Sequence, residues 1–493
     1  MAGDAGAKGD ATMSSLDQIE HVVVLMLENR SFDSMLGKLY PASPDFDGLT
    51  GNESNLDMQN NPIKVWNSPG TAPASMTIPT PDPGELWLDM NMQLFGTSSV
   101  PMPPTATMSG FVRDYLAQAT PGQAFDGKSV MHYFTPDQVP VISTLAKQFA
   151  VCDCWFASAP CQTWPNRFFV HTATANGYEN NSPLHFPFPY PMTTIFNRFE
   201  QAGKDWRIYF HDIAQTNTLA KLLPLAYRFQ FYKSFRDDAR TGNLPSYSFI
   251  EPRYFTLFTE LPNDQHPPHN ATLGEQLIAD IYNSLRSGPA WEKTLLVITY
   301  DEHGGCFDHV PPPSAVPPSK TSTSPFNFDR YGVRVPAVIV SPYIDQATVL
   351  RPPGVVPYDH TSVIATLRKR WPELGAPLTD RDAAAPDLGN ALTLAKPDNL
   401  GPEHIDALPF TPTPAEVAFA QAMPLNGMQH ALLNLAANLP NTTRADFIGA
   451  VTRHLEHLKI TGPLPIPAGI DTSQVTTAAD FIKKQTANFF RGL

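Results

Sequence analysis

Cysteine is scarce, with four residues in a chain of 493. A disulfide scaffold is thereby excluded: a chain this long can bury a large core without cross-links. Cys152, Cys154 and Cys161 lie close together, but the spacing C-x-C-x6-C matches no common zinc finger. Buried, reduced thiols are the expectation for these and for Cys306. Positive charge is also short, 34 Lys and Arg against 47 Asp and Glu, for a net charge of -13. Phosphate backbones attract basic surfaces, so nucleic acid is excluded as a partner. Generic adhesion to anionic membranes is disfavoured as well, leaving room for a locally basic entrance and at most transient contact with lipid surfaces. No run of about eighteen apolar residues occurs, so no transmembrane segment is expected. The stretch Met1 to Asp17 lacks the apolar core of a secretion signal, so the visible sequence points to the cytoplasm.

Proline, by contrast, is abundant: 51 residues, roughly twice average usage. Long, stiff, irregular connections follow from that, notably over residues 41–110, 310–327 and 372–415. A long segment without regular structure is usually a functional rim or lid when it belongs to an enzyme.

Between these loops run apolar segments of strand length. Thr294 to Tyr300 is uninterrupted and apolar, as expected for a strand buried on both faces. It discharges into Asp301-Glu302-His303-Gly304-Gly305-Cys306-Phe307-Asp308-His309. Ile19 to Leu27 behaves the same way and ends on Glu28-Asn29-Arg30-Ser31-Phe32-Asp33. Phe149 to Phe156, Asp205 to Asp212, Ser246 to Ile250 and Val335 to Val340 complete the set of expected strands. The Asp205 strand ends in His211-Asp212. Helical segments alternate with them: Phe168 to Ala175, Ala271 to Ser287 with Leu273, Leu277, Ile281 and Leu285 on one face, and a segment from about Tyr358 to Arg370. Strands alternating with helices predict an α/β class with a mostly parallel central sheet and helices on both faces. Further helices are expected over 414–439, 444–460 and 473–490. A catalytic core over 18–371 is expected, with 372–493 packed on the same domain.

In open α/β sheets, ligands bind at the carboxyl ends of strands. Gathered there are Glu28, Asn29, His211, Asp301, Glu302 and His303, with His266 in the loop Asn263-Asp264-Gln265-His266-Pro267. Thr163 falls at a strand-to-helix turn, where free N–H groups favour an anion but where a hydroxyl is also an ordinary helix cap. Carboxylates, an amide and a hydroxyl are oxygen donors suited to a hard or borderline divalent cation. A hydroxyl on such a cation becomes a nucleophile near neutral pH, and histidines can bind a phosphate oxygen or protonate a leaving alkoxide. The residues alone leave two readings open: metal-assisted transfer of a phosphoryl group to Thr163, or polar strand ends held for structural reasons.

The stretches Glu28-Asn29-Arg30-Ser31-Phe32-Asp33, Gln162-Thr163-Trp164-Pro165-Asn166-Arg167, Asn263-Asp264-Gln265-His266-Pro267, Tyr300-Asp301-Glu302-His303-Gly304-Gly305 and Asp308-His309-Val310-Pro311-Pro312 resemble, in this order, the phosphoesterase family of bacterial phospholipase C enzymes. That family also holds plant non-specific phospholipases C and a bacterial acid phosphatase, and its fold resembles the alkaline phosphatase superfamily. The resemblance implies a single divalent metal held by Glu28, Asn29, Thr163, Asp301 and Glu302, with Thr163 as nucleophile. The neutral amide of Asn29, where a charged ligand of a two-metal site might stand, is the ground for expecting one metal. It further implies catalytic roles for His266 and His211, with His303, Asp308, His309 and His360 as supports around the first set. Expected substrates are phospholipids or other phosphate esters. A phospholipase C would use residues 41–110 as an apolar lip, with Trp66, Trp87, Leu88, Met90, Met92, Leu94 and Phe95 as candidates; covering the core is an equally good use of the same side chains. An acid phosphatase would take small monoesters, and a third reading is a metal- or phosphate-binding protein without turnover. Relatives of this kind are often exported.

Overall fold

The computed structural model describes residues 15–438, apart from 103, 121–124, 182–189, 257–258 and 320–325. Eight strands form its main sheet: β1 (His21–Leu27), β2 (Ala150–Cys152), β3 (Trp206–Phe210), β4 (Phe229–Phe231), β5 (Tyr247–Glu251), β6 (Thr294–Tyr300), β7 (Ala337–Val340) and β8 (Thr348–Leu350). Their spatial order is β8-β2-β7-β6-β1-β5-β3-β4. Strands β6, β1, β5, β3 and β4 are mutually parallel, and β7 runs antiparallel between β6 and β2. The central pair, β1 and β6, is mostly apolar and almost wholly buried, because helices cover both faces of the sheet.

The helices that matter for the site are α1 (Trp87–Phe95), α2 (Pro140–Gln148), α3 (Thr163–Thr172), α4 (Ala271–Arg286), α5 (Thr361–Arg370), α6 (Pro414–Ala422) and α7 (Gly427–Asn438). Helix α4 starts where the Asn270 side chain accepts from Thr272 N at 2.9 Å. It turns Leu277, Ile278, Ile281 and Leu285 to the core, while Leu273 is only partly covered. Between residues 41 and 110 the chain is more regular than its composition suggests. It contains a hairpin (Ser54–Leu56 with Pro62–Lys64) and α1, which stops at Gly96 in the left-handed region, φ 70°.

After α5 the chain continues over the same body. Tyr282 donates to Pro402 O at 2.6 Å, Trp291 to Leu400 O at 3.1 Å, and Gln429 to Tyr254 O at 2.7 Å. The helix expected over 414–439 is two helices, α6 and α7, separated at Met423–Asn426 where Pro424 interrupts the ladder. The helices expected over 444–460 and 473–490 lie outside the described residues. All four cysteines are free thiols. Among the described residues no helix is long and apolar enough to cross a membrane.

Candidate active site

Strand register creates the centre of the site. Leu27 stands opposite Tyr300 in the parallel β1–β6 ladder, so the next residues, Glu28 and Asp301, leave the middle of the sheet side by side. Asp301 N donates to Leu27 O at 3.2 Å and extends the ladder by one residue. Asn29 adopts a left-handed φ of 56°, and its N–H donates to Asp301 Oδ1 at 2.9 Å. Glu302 N donates to the same oxygen at 2.8 Å. The other oxygen, Asp301 Oδ2, is buried with no hydrogen-bond partner among the described residues.

Thr163 is the first residue of α3, and its hydroxyl Oγ1 lies 3.3 Å from Glu28 Oε2 and 3.4 Å from Asn29 Oδ1. The Asn29 amide nitrogen donates to Glu302 Oε1 at 2.9 Å, which leaves Oδ1 facing Thr163. Glu28, Asn29, Thr163, Asp301 and Glu302 are thus one buried constellation assembled from three separate parts of the chain. The turn after β6 closes on it through Gly304, φ 58°, where a Cβ would stand 2.3 Å from Asn29 O.

Around this set stands a ring of supports. Arg167, one helical turn after Thr163, pairs with Glu28 and lies 3.8 Å from Asp301 Oδ2. His360, at the start of α5, accepts from Trp155 Nε1 at Nδ1 (3.3 Å), so its protonated Nε2 donates to Asp301 O at 2.6 Å. His303 turns away: its Nε2 meets Gln93 Oε1 at 2.7 Å and its Nδ1 lies 3.2 Å from Glu302. Burial depresses the His303 ring to about 3, so it is neutral.

His266 reaches the site from the other side. Its Nδ1 meets Pro267 O at 2.6 Å, and its Nε2 lies 3.3 Å from Glu85 Oε1. Glu85 Oε1 in turn accepts from the Asn29 amide at 2.5 Å, and Asp82 Oδ1 is 3.6 Å from His266 Nδ1. Asp82 and Glu85 were not foreseen among the site residues, nor was a role for Arg167. They belong to the irregular segment before α1, which is fastened by Arg30 to Ile78 O (2.6 Å), Tyr115 to Pro81 O (2.8 Å) and Gln93 to Gly84 O (2.8 Å). The local signal was a pair of acids flanking a Pro-Gly step, Asp82-Pro83-Gly84-Glu85.

Asp308 and His309 are placed elsewhere. Asp308 pairs with Arg334 Nε at 2.9 Å, and Arg334 also holds Asp33 at 3.0 Å. His309 bridges Asp33 (2.7 Å) and Asp47 (3.1 Å). Their acceptors and donors are spent within that network, which ties the loop after β6 to the helix after Ser31. His211 ends β3, two strands from β1; its Nδ1 meets Glu251 O at 3.0 Å and its ring stacks on Tyr232 at 4.3 Å. It lines a polar cavity of about 390 Å³ together with Arg236, Arg253 and Asp280.

Among the candidate lip residues, Met90 and Leu94 are core, and Trp87 packs on Phe326 at 4.6 Å. Amphipathic α1 turns those side chains inward, where they cover the core. Leu86 and Leu88, beside Glu85, are the large apolar residues left exposed there, at 53% and 60%.

Burial raises the Glu28 carboxyl well above the ordinary carboxylate range, with Arg167 pulling it back and Asp301 pushing it further. Glu302 is likewise raised by burial, then by Glu85 and Asp301. Burial pulls the His266 ring down, yet the Asp82 and Glu85 carboxylates outweigh that and hold it well above its usual value. So many acids packed together call for compensating charge. The donors around Thr163 are oxygens only, and Asp301 Oδ2 is buried without a hydrogen-bond partner; this set fits a hard or borderline divalent cation.

This geometry belongs to a known class. The phosphoesterase family model matches residues 19–372, and the chain belongs to that family. It is 39% identical to non-specific phospholipase C1 of Arabidopsis thaliana over 381 residues, covering 74% of this chain and 69% of that protein. Non-specific phospholipase C6 of the same plant is 40% identical over 382 residues, covering 74% and 71%. Phospholipase C B of Mycobacterium tuberculosis (strain ATCC 25618 / H37Rv) is 28% identical over 493 aligned positions, covering 83% and 88%. Among solved structures, a putative sulfatase from Bacteroides thetaiotaomicron aligns with 52% of this chain and 69% of its own, at 11% identity and a TM-score of 0.32.

Proposed function

We propose that this protein is a metal-dependent phosphoric ester hydrolase of the phospholipase C type, cleaving glycerophospholipid phosphodiesters on the glycerol side. The observation that carries the reading is the convergence of Thr163 Oγ1 with Glu28 and Asn29 at 3.3 and 3.4 Å, at the mouth of strands that also deliver Asp301 and Glu302. Glu28, Asn29, Thr163, Asp301 and Glu302 would hold one divalent cation. When bound, that cation supplies Lewis acidity that lowers the pKa of the Thr163 hydroxyl and neutralises charge on the phosphoryl group.

The rest is done by the chain itself. Thr163 passes its hydroxyl proton to Glu28 Oε2, its acceptor at 3.3 Å, as Oγ1 attacks phosphorus, and the diacylglycerol oxygen leaves, carrying the bonding pair. His266, kept protonated by Asp82 and Glu85, meets a phosphoryl oxygen and protonates that alkoxide. Water then releases the phosphorylated headgroup from Thr163. Arg167 fixes Glu28 against the sheet, and His360 fixes the Asp301 backbone. His211, two strands from β1, lines its own cavity with Arg236, Arg253 and Asp280, and no step at Thr163 is given to it.

Two observations favour a lipid over a small monoester. Relatives named phospholipases C share most of this chain. Exposed Leu86 and Leu88 follow directly on Glu85, and a cavity of about 510 Å³ on the Asp82 side is lined by Phe125, Phe419, Met423 and Leu425. The test compares release from a phosphocholine diester and a phosphate monoester by purified protein and by Thr163→Ala. Rapid release from the diester, abolished in a folded Thr163→Ala, is the expected result. Faster turnover of the monoester would favour an acid phosphatase, and near-normal turnover by the variant would remove Thr163 as nucleophile.

A further inference from the structure

Asp82, Glu85 and His266 were not part of the donor set assembled around Thr163, yet they form a cluster of their own. One ligand atom from each lies within 4.8 Å of the others. The 3.3 Å from His266 Nε2 to Glu85 Oε1 is the separation of two ligands on one tetrahedral ion with bonds of about 2.0–2.2 Å, and Asp82 has only to close in slightly to join them. We propose that these three residues bind a second divalent cation, of the borderline class that accepts both carboxylate and imidazole, with Zn²⁺ or Mn²⁺ as the fitting ions. The proposal builds on the phosphoryl-transfer reading of the same cleft.

Three observations point to an ion and not merely to an acidic patch. His266 is 1% exposed, and its Nε2 has no hydrogen-bond partner among the described residues. Glu85 Oε1 is 3.3 Å from that nitrogen, but off the direction a hydrogen bond requires. Asp82 Oδ1 is a second buried atom without a hydrogen-bond partner, 3.6 Å from the Nδ1 edge of the same ring. The orientation of the ring is the third. Nδ1 donates to the Pro267 carbonyl at 2.6 Å, which leaves the Nε2 lone pair pointing into the carboxylates. A backbone carbonyl behind the distal nitrogen is the usual support of a metal-binding histidine.

Charge accounting leads the same way. Glu28, Asp82, Glu85, Asp301 and Glu302 bring five carboxylates to the cleft, and Asp264 backs His269 behind them. Arg167 and Arg30 face this group from within the protein. The carboxylates outnumber the two arginines that face them, a setting that draws cations to the cleft. Proton and cation are exclusive occupants of Nε2. With the cation bound Nε2 carries no proton, so the general-acid step given to His266 belongs to the protein with this second position empty. Asn29, which donates to both Glu85 and Glu302, is the wall between the two positions.

The test strips the full-length protein with chelator, reloads it with excess Zn²⁺, removes free ion by gel filtration and measures metal per chain by mass spectrometry. Glu85→Gln keeps an oxygen to accept from Asn29, so the Thr163 position should survive the substitution. The expected result is two equivalents in the wild type, one in Glu85→Gln and one in Asp301→Asn, with Asp82→Asn repeating the Glu85→Gln result. One equivalent in the wild type that is retained in Glu85→Gln and lost in Asp301→Asn overturns the second site and leaves the first standing. One equivalent lost in Glu85→Gln and retained in Asp301→Asn upholds this site and overturns the cation at Thr163. Circular dichroism of each variant separates ligand loss from unfolding, and the Asp82→Asn arm carries the test if Glu85→Gln fails to fold.

Discussion

Removing the Arg167 guanidinium should expose how the acids at the site are balanced. Arg167→Met keeps most of the side-chain volume in a fully buried position and deletes the partner of Glu28 and Asp301. Breaking one side of a buried ion pair costs about 3–5 kcal/mol, because the remaining charge is left unpaired in low dielectric. Two carboxylates are affected here, but Glu28 is already pushed toward its protonated form by burial, which limits the loss. The lower half of that range is therefore expected for metal-free protein, read from the shift of the urea midpoint at constant slope. Glu28→Gln in the Arg167→Met background should recover part of it, with a coupling on the order of 1–3 kcal/mol. Saturating divalent cation should narrow the gap between Arg167→Met and wild type, because losing the guanidinium beside Glu28 and Asp301 tightens cation binding in the variant and so gives it the larger stabilisation, proportional to ln(1 + [L]/Kd). An Arg167→Met cost below about 1 kcal/mol, with no recovery from Glu28→Gln, would refute the assigned balance, because neutral contacts alone produce losses of that size.

Two other perturbations probe separate parts of the account. Gly304→Ala places a methyl 2.3 Å from Asn29 O at a left-handed φ, so Asn29 must shift away from Thr163. Activity and metal content should fall together while circular dichroism is unchanged; retention of both would show that the turn tolerates displacement. His309 is held at about 10 by Asp33 and Asp47 although burial pulls it down. Its folded pKa is raised, so its contribution is complete below an unfolded value of about 6.5 and is lost as pH climbs toward the folded one. The stability gap between wild type and His309→Gln should therefore be widest near pH 6 and shrink toward pH 10, and a gap that widens with pH would contradict the ion-pair assignment.

Much of this fold is written in local pattern. The runs ending at Leu27 and Tyr300 are strands with those ends, because continuous apolar, β-branched sequence suits a strand covered on both faces. Direction is not written there: Ala337–Val340 reads the same whether parallel or antiparallel, and it is the reversed strand. Helix α1 escaped because nine residues inside a Pro-rich context show little period, and its start lacks a capping hydroxyl or amide. The oxygen-bearing strand ends were legible for the same reason as the strands, since each follows its apolar run directly. Asp82 and Glu85 were not, because they reach the site from an irregular segment, through hydrogen bonds to residues such as Arg30 and Gln93. Arg167 lay inside a quoted motif, but only the packing of α3 against β1 shows that it faces Glu28.

The central claim is that Thr163 Oγ1 takes the phosphoryl group from the lipid. It is tested most directly by mixing the enzyme with a phosphodiester carrying radiolabelled phosphorus, quenching in acid within the first turnover, and mapping the label by proteolysis. The account predicts label on the peptide containing Thr163, absent from Thr163→Ala and discharged on a chase with unlabelled substrate. Hydrolysis at full rate with no label captured on that peptide, or label on any other side chain, would contradict it.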